Sequence, residues 1–291
     1  GTIALGTSGK LTFNQTGNIS YRGLFTGGAS SVLTINAAGF NFNISSATTT
    51  GFTGAVVINS GLLQLSSGGR MANAASFTIN KGGNLLIDDN GTTLSGDRIL
   101  NTATITLNSA DGAFSGQTRP RGLAIRTDQD ATLDETVGVV TVATGASYAS
   151  LEATTTNDDS DIIMTNLVRT NNATLDVRGT NLGTTNAQAN QFRIGTAGNE
   201  TAFIGAMIGG GGGAGTKTIS IVPWAIGETL AGALGDTNMG NTLVTYDTGA
   251  GLRPLNLSTE FNTFASAGGA TDNVRESLSA DLTGLTTQTV N

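Results

Sequence analysis

Apolar and polar positions alternate along most of this chain in short paired runs, and a glycine-bearing corner parts the two runs of each pair. In residues 52–65, FTGAVVINSGLLQL, Val56 and Ile58 alternate with polar-facing positions, Asn59, Ser60 and Gly61 interrupt the run, and Leu63 and Leu65 resume it. A period of two on both sides of a break predicts strand, tight turn, strand. Gly61 suits the corner because it lacks a Cβ and tolerates positive φ, and Asn59 can bond its own backbone. The alternation puts Ile58 toward the core and Val57 on the opposite face.

Copies of this figure flank it. Ile3 and Leu5 lead through Gly9 to Leu11 and Phe13. Leu33 and Ile35 lead through Gly39 to Phe40, Phe42 and Ile44. Phe77, 21 residues after Val56, leads with Ile79 through Gly82 and Gly83 to Leu85 and Ile87. Weaker copies are Ile105 with Leu107, Val140 with Val142, Leu175 with Val177, Phe192 with Ile194, and Ile219 with Ile221. A recurring unit of roughly twenty residues, mostly strand, predicts an all-β chain, namely a single elongated right-handed parallel β-solenoid, or β-helix, over residues 1–291.

Within it, residues 1–110 read as regular rungs, and 111–135, charged and proline-bearing, as a loop insertion around a short rung at Leu123 to Ile125. Residues 136–182 read as rungs again, and 183–291 as less regular rungs. The glycine run 209–213 is expected to be a flexible loop or a close backbone crossing. A short helix is expected near 258–282, where Ser258 could cap, Glu260 lies in the first turn and Phe261 and Phe264 are three apart.

The segment FTGAVVINSGLLQL resembles the autotransporter-associated β-strand repeat of large bacterial surface proteins, with Phe52 in place of the usual tyrosine; GGNLLIDDNGTTLSGDRILNTATITLNS, ATLDVRGTNLG and ISIVPWAIGE look similar to their continuations. The resemblance implies a secreted or surface-displayed protein and names no ligand.

Composition narrows the function classes. Charged residues make up 12% of the chain, about half the usual share, while Thr (47) and Asn (26) supply neutral polar surface. There is no Cys and no His, which removes disulfides, thiolate and imidazole metal sites, and imidazole bases together. A net charge of −7 and no basic stripe argue against nucleic acid. No apolar run is long enough to span a bilayer as a helix. Neither end reads as a polar cap, so the chain is expected to be a segment of a longer one, or to lack a removed leader.

Candidate chemistry is sparse. The acidic stretch Asn157, Asp158, Asp159, Ser160, Asp161 offers oxygen ligands for calcium, but its spacing matches no calcium loop, and a solvated acidic turn is preferred, with Asp158, Asp159 and Asp161 as weak metal candidates. Asp88, Asp89, Asp97, Asp128, Asp130, Asp134, Glu135 and Asp176 are the carboxylates a glycosidase would draw upon. No repeat concentrates acids and aromatics on one face, so no catalytic, cofactor-binding or metal role is assigned. Trp224 is expected to plug the core.

The function expected is therefore that of an extracellular, non-enzymatic structural protein. It would be a solenoid stalk or filament subunit on the bacterial cell surface, with an adhesive or coat role and no cofactor. Its partner would be itself, head to tail or by covalent continuation. The alternative is a β-helix that binds or cleaves polysaccharide.

Overall fold

In the computed structural model, residues 1–45, 51–89, 97–113, 120–127, 132–153, 159–183, 190–230, 242–263 and 269–275 are described. The first strands are β1 (Thr2–Ala4), β2 (Lys10–Asn14), β3 (Ile19–Tyr21), β4 (Leu24–Gly27), β5 (Val32–Ile44), β6 (Gly51–Phe52) and β7 (Ala55–Ser66). Then come β8 (Ser76–Ile79), β9 (Gly83–Asp89), β10 (Thr104–Asn108), β11 (Leu123–Thr127), β12 (Thr132–Thr144), β13 (Ala146–Ala153), β14 (Asp159–Arg169), β15 (Thr174–Thr180) and β16 (Asn190–Ile194). Helix α1 (Ala197–Gly205) precedes β17 (Ala225–Leu230), β18 (Thr242–Asp247) and β19 (Gly251–Pro254).

The two halves of the 52–65 figure are one strand, not two joined by a tight turn. β7 runs unbroken through Asn59, Ser60 and Gly61 and bends there, so its first half pairs with β8 and its second half with β9, both in parallel. Gly61 makes the bend possible. It has φ +75°, and a Cβ on it would lie 2.0 Å from the carbonyl oxygen of Ala37, so no other residue fits. β5 bends likewise at Gly39 and pairs with β2 and β3 on one side and with β7 on the other.

Alternation decides which side chains enter the core. Val56 and Ile58 have no exposed surface, whereas Val57 is only half-buried. In register with Ile58 lie Ile35 and Ile79, and Ile79 in turn faces Leu107, so identical faces stack strand upon strand into one continuous core. The aromatic layer at the β2 end of this stack packs tightly, with Phe13 and Phe42 centroids 4.4 Å apart and Tyr21 and Phe25 at 4.5 Å.

The single parallel solenoid expected from the sequence is not what these strands form. They gather into a sixteen-stranded sheet of mixed orientation, beside a three-stranded sheet of order β1-β4-β6. Pairing is parallel from β2 to β17 but antiparallel between β17 and β18 and between β18 and β19. The end strands of the path, β16 and β19, come into contact, which leaves the large sheet nearly closed and barrel-like. The physical cause is twofold. Strands that bend at left-handed corners carry their hydrogen bonds around the bend, joining what would be separate faces into one sheet. The 242–254 segment then folds back as a hairpin through Gly249 (φ +84°) in place of a further parallel strand.

Two local expectations also change. Within residues 111–135 the short rung expected at Leu123 to Ile125 is β11, with Leu123, Ala124 and Ile125 buried, while Arg121 pairs with Glu152 and Arg126 with Asp88, and the start of β12 lies where loop was expected. The helix lies at 197–205 and not near 258–282. The described part of the latter is turn and bridge, with residues 264–268 and 276–282 outside the described residues. The glycine run 209–213 is the close backbone crossing, since a Cβ on Gly209 would lie 2.9 Å from Ser220 Cα. Among the described residues, no helix is long and apolar enough to cross a membrane.

Two substitutions test this account. Ile58→Asp puts a charge into a fully buried stack and should cost more than about 4 kcal/mol, whereas Val57→Asp should cost about 1 kcal/mol or less; similar urea midpoints for the two would show the register to be wrong. Gly61→Ala combines positive φ with a backbone clash and should cost at least about 2 kcal/mol, read as a lowered melting temperature.

Candidate functional site

Acidic residues that looked like loop or site signals are drawn into paired positions by the parallel register. Asp88 in β9 faces Arg126 in β11, and Arg126 faces Glu152 in β13. The Arg126 guanidinium donates to both Asp88 oxygens, at 2.8 and 2.7 Å. Arg98, fully buried, donates to Asp89 at 2.6 Å and to the Gly69 carbonyl at 3.2 Å. Arg121 pairs with Glu152, both without exposed surface. Arg178 lies 4.5 Å over the Tyr148 ring and bridges Asp176 at 3.0 Å and Glu228 at 2.7 Å. The forked geometry of arginine suits such bidentate, stacked positions.

Glu135 is held by peptide groups instead. Its carboxylate accepts the backbone N–H groups of Arg98 (3.0 Å) and Ile99 (2.9 Å), while burial pushes its pKa up to about 7. Asp134 is exposed; Asp97 sits at φ +54°. Asp128 and Asp130 lie outside the described residues. Of the candidate carboxylates, Asp88, Asp89 and Asp176 are thus paired with arginines and Glu135 with two peptide N–H groups.

The weak metal candidates divide. Asp158 lies outside the described residues, while Asp159 and Asp161 stand at the start of β14, where Asp161 faces Asp134 of β12. The expectation of a solvated acidic turn does not hold here, since Asp161 is buried in a strand and Arg193 of β16 donates to it at 2.9 Å. Burial raises Asp161 to about 7 in spite of that arginine, whose side chain is 34% exposed and therefore screened by water. Burial, with Asp134 beside it, raises Asp159 to about 6. A guanidinium already occupies the cation position, and among the described residues no group of three His, Cys, Asp or Glu could hold a metal ion.

Trp224 is only partly the core plug expected of it. It packs edge-on to Phe203 of α1 at 6.2 Å and lines two shallow clefts of about 270 Å³ each. Tyr246 fixes the helix beside it, donating to Glu200 and accepting the Ile194 N–H, both at 2.9 Å.

An edge of the described sheets is open at the first strands. Among the described residues β1 pairs only with β4, and β2 and β3 pair only with β5, so three parallel strands present an unpaired side together. Hydrogen bonds from Val32 N–H to the Gly9 carbonyl (3.0 Å) and from Gln15 N–H to the Asn36 carbonyl (3.1 Å) turn the odd-numbered β2 amides toward β5. By the parity of a parallel ladder, the N–H and C=O groups of Lys10, Thr12 and Asn14 then point out of the open edge. Behind them Ile3, Leu11, Phe13 and Tyr21 are only partly buried.

An asparagine runs along each corner above this edge. The Asn36 amide donates to Asn14 Oδ1 at 2.7 Å, Asn59 to Asn36 at 3.0 Å, Asn80 to Asn59 at 2.8 Å and Asn108 to Asn80 at 3.0 Å. The sequence points to Asn59 for a turn and not to the ladder; its signal was an asparagine directly after the last inward-facing apolar residue of each copy, at Phe13, Ile35, Ile58, Ile79 and Leu107.

No family model, no curated protein and no solved structure matches this chain. The expectations of adhesion and filament growth were drawn from a solenoid, and with the mixed-orientation sheet they lose that support.

Because Glu135, Asp159 and Asp161 all titrate higher in the folded chain than the ordinary carboxylate values of 4.5, 3.8 and 3.8, the native state binds protons more tightly than the unfolded one between about pH 4 and 7. Their contribution to stability therefore falls as pH rises through that window. The melting temperature is expected to be lower at pH 8 than at pH 5.5, and Asp161→Asn, neutral throughout, should narrow the difference; an unchanged slope in that variant would remove Asp161 from the account.

Proposed function

We propose that this chain is an extracellular, non-enzymatic structural protein of a bacterial surface coat, and that it associates with itself by adding strands at the open β1–β2–β3 edge. The observation that carries the reading is that edge. It presents outward backbone groups at Lys10, Thr12 and Asn14 above incompletely buried Leu11 and Phe13, a template on which further strands pair. Charged groups that could blunt it are few, with Lys10 the only one in β1, β2 or β3. Placement outside the cell is supported by the likeness of residues 52–65 to a surface-protein repeat and by a polar surface built from Thr and Asn. A structural role, as against catalysis, is supported by the engagement of Asp88, Asp89, Glu152, Asp176 and Glu228 with arginines.

Thr12→Pro tests the edge directly. It removes an outward N–H while leaving the odd-numbered β2 amides free to pair with β5, so the fold should persist. Sedimentation of the unaltered chain is expected to show species above the monomer mass that grow with concentration, and the proline variant is expected to stay monomeric. A chain that remains monomeric at every concentration up to the millimolar range would overturn the reading.

A further inference from the structure

We infer that the second half of β14, from Asn166 to Arg169, receives the carboxyl end of a polypeptide, bound as a short parallel strand with an apolar residue next to last. This goes beyond the self-association proposed above and does not depend on it. β14 is paired on both sides only as far as Met164. There the Gly195 N–H donates to the Met164 carbonyl at 2.8 Å, and the chain then leaves the sheet as α1. Asn199 of that helix donates to the next carbonyl, that of Thr165, at 2.8 Å. Beyond this point β12 continues along β14 as far as Arg169, while among the described residues no strand pairs with the other side. That side borders a cleft of about 270 Å³ walled by Leu167, Phe203, Met207 and Trp224.

Hydrogen bonding, charge and shape agree on the occupant. The Thr170 N–H donates to the Val142 carbonyl at 2.9 Å, so by the parity of a parallel ladder the backbone groups of Leu167 and Arg169 point away from β12. The Leu167 N–H is taken by Asn166 Oδ1 at 2.9 Å, which leaves the Leu167 C=O and the Arg169 N–H. One residue of a parallel strand, opposite Val168, satisfies both by donating its N–H to the first and accepting the second. The inward column of Ile58, Ile79, Leu107 and Val142 ends at Arg169. That arginine is exposed, its Nε donates to the Ala173 carbonyl at 2.7 Å, and its terminal nitrogens have no partner among the described residues. Arg98, Arg126, Arg178, Arg193 and Arg253 each meet a carboxylate of this chain. A carboxylate on the residue opposite Val168 brings Arg169 the same kind of partner, beside its N–H and within reach of its guanidinium. The residue before it stands opposite Leu167, whose side chain is buried, and so turns inward toward Phe203 and Trp224. An acidic sugar would meet the arginine and the indole but has no N–H and C=O in strand geometry.

The test uses the full chain and a fluorescein-labelled hexapeptide, SGTTIT, with a free carboxyl end. Fluorescence polarisation should show saturable binding, weakened by about tenfold or more when the carboxyl end is amidated or the isoleucine is replaced by serine. Arg169→Gln should bind the acid and the amide equally, which separates loss of the guanidinium from loss of the fold, and Thr12→Pro should bind as the unaltered chain does. The peptide should shift the amide resonances of Leu167 to Thr170 and leave those of Lys10 to Asn14 in place. No saturable binding, equal binding of acid and amide by the unaltered chain, or shifts at Lys10 to Asn14 alone would each overturn the carboxyl-end site. Displacement of the probe by glucuronate, with no dependence on the isoleucine, would assign the cleft to an acidic sugar and overturn the peptide.

Discussion

Everything in this molecule depends on the corner at which a strand turns without ending. At Gly61 the backbone takes a left-handed conformation two ångströms from where a side chain would strike the Ala37 carbonyl, and β7 continues on the far side still hydrogen-bonded. A turn that broke the ladder would leave two small sheets with four edges. A bend that preserves it lets one strand serve two neighbouring ladders, keeps its backbone groups paired and brings apolar faces from both halves onto a common core. Gly39 repeats this bend within β5; Gly82, Gly145 and the pair Asn171–Asn172 also take positive φ, but there one strand ends and the next begins.

Once corners are fixed, register follows, and register decides which polar side chains meet. The same in-line stacking that sets Ile35, Ile58, Ile79 and Leu107 over one another sets Asn14, Asn36, Asn59, Asn80 and Asn108 over one another at the bend. On the second half of each strand it sets Asp88 against Arg126 and Arg178 against Glu228. A buried ion pair contributes little net stability compared with an apolar pair of the same shape, because desolvating both charges offsets most of their attraction. Its effect is to make slipped registers costly: one residue of slip would leave Arg98 or Arg121 buried without its carboxylate.

The same reasoning explains why the open edge stands out. Elsewhere in the described sheets Asp88, Asp89, Glu152, Asp176 and Glu228 are held by guanidinium groups and Glu135 by peptide N–H groups. Among the described residues β1, β2 and β3 are each paired on one side only, with half-buried aromatics behind them. A strand side with outward backbone groups and little charge is a place where further pairing is favoured.

The sequence by itself determined many of the strands, their inward faces and the glycine corners, because side-chain alternation and the need for positive φ are local properties: Ile58 in, Val57 out, and a corner at Gly61 can all be read from fourteen residues. It also held the asparagine run, though only as a recurring position whose meaning depended on knowing that the copies stack. What the tertiary structure alone decided was closure and context. Whether a corner breaks a strand or carries it through, whether the last strands continue in parallel or fold back as β18 and β19, and whether Arg121 and Arg126 face water or a carboxylate are set by partners tens of residues away. Local pattern has no access to those partners, so charges that read as a loop at 111–135 became buried pairs, and a repeat that read as a solenoid became a nearly closed sheet of mixed orientation.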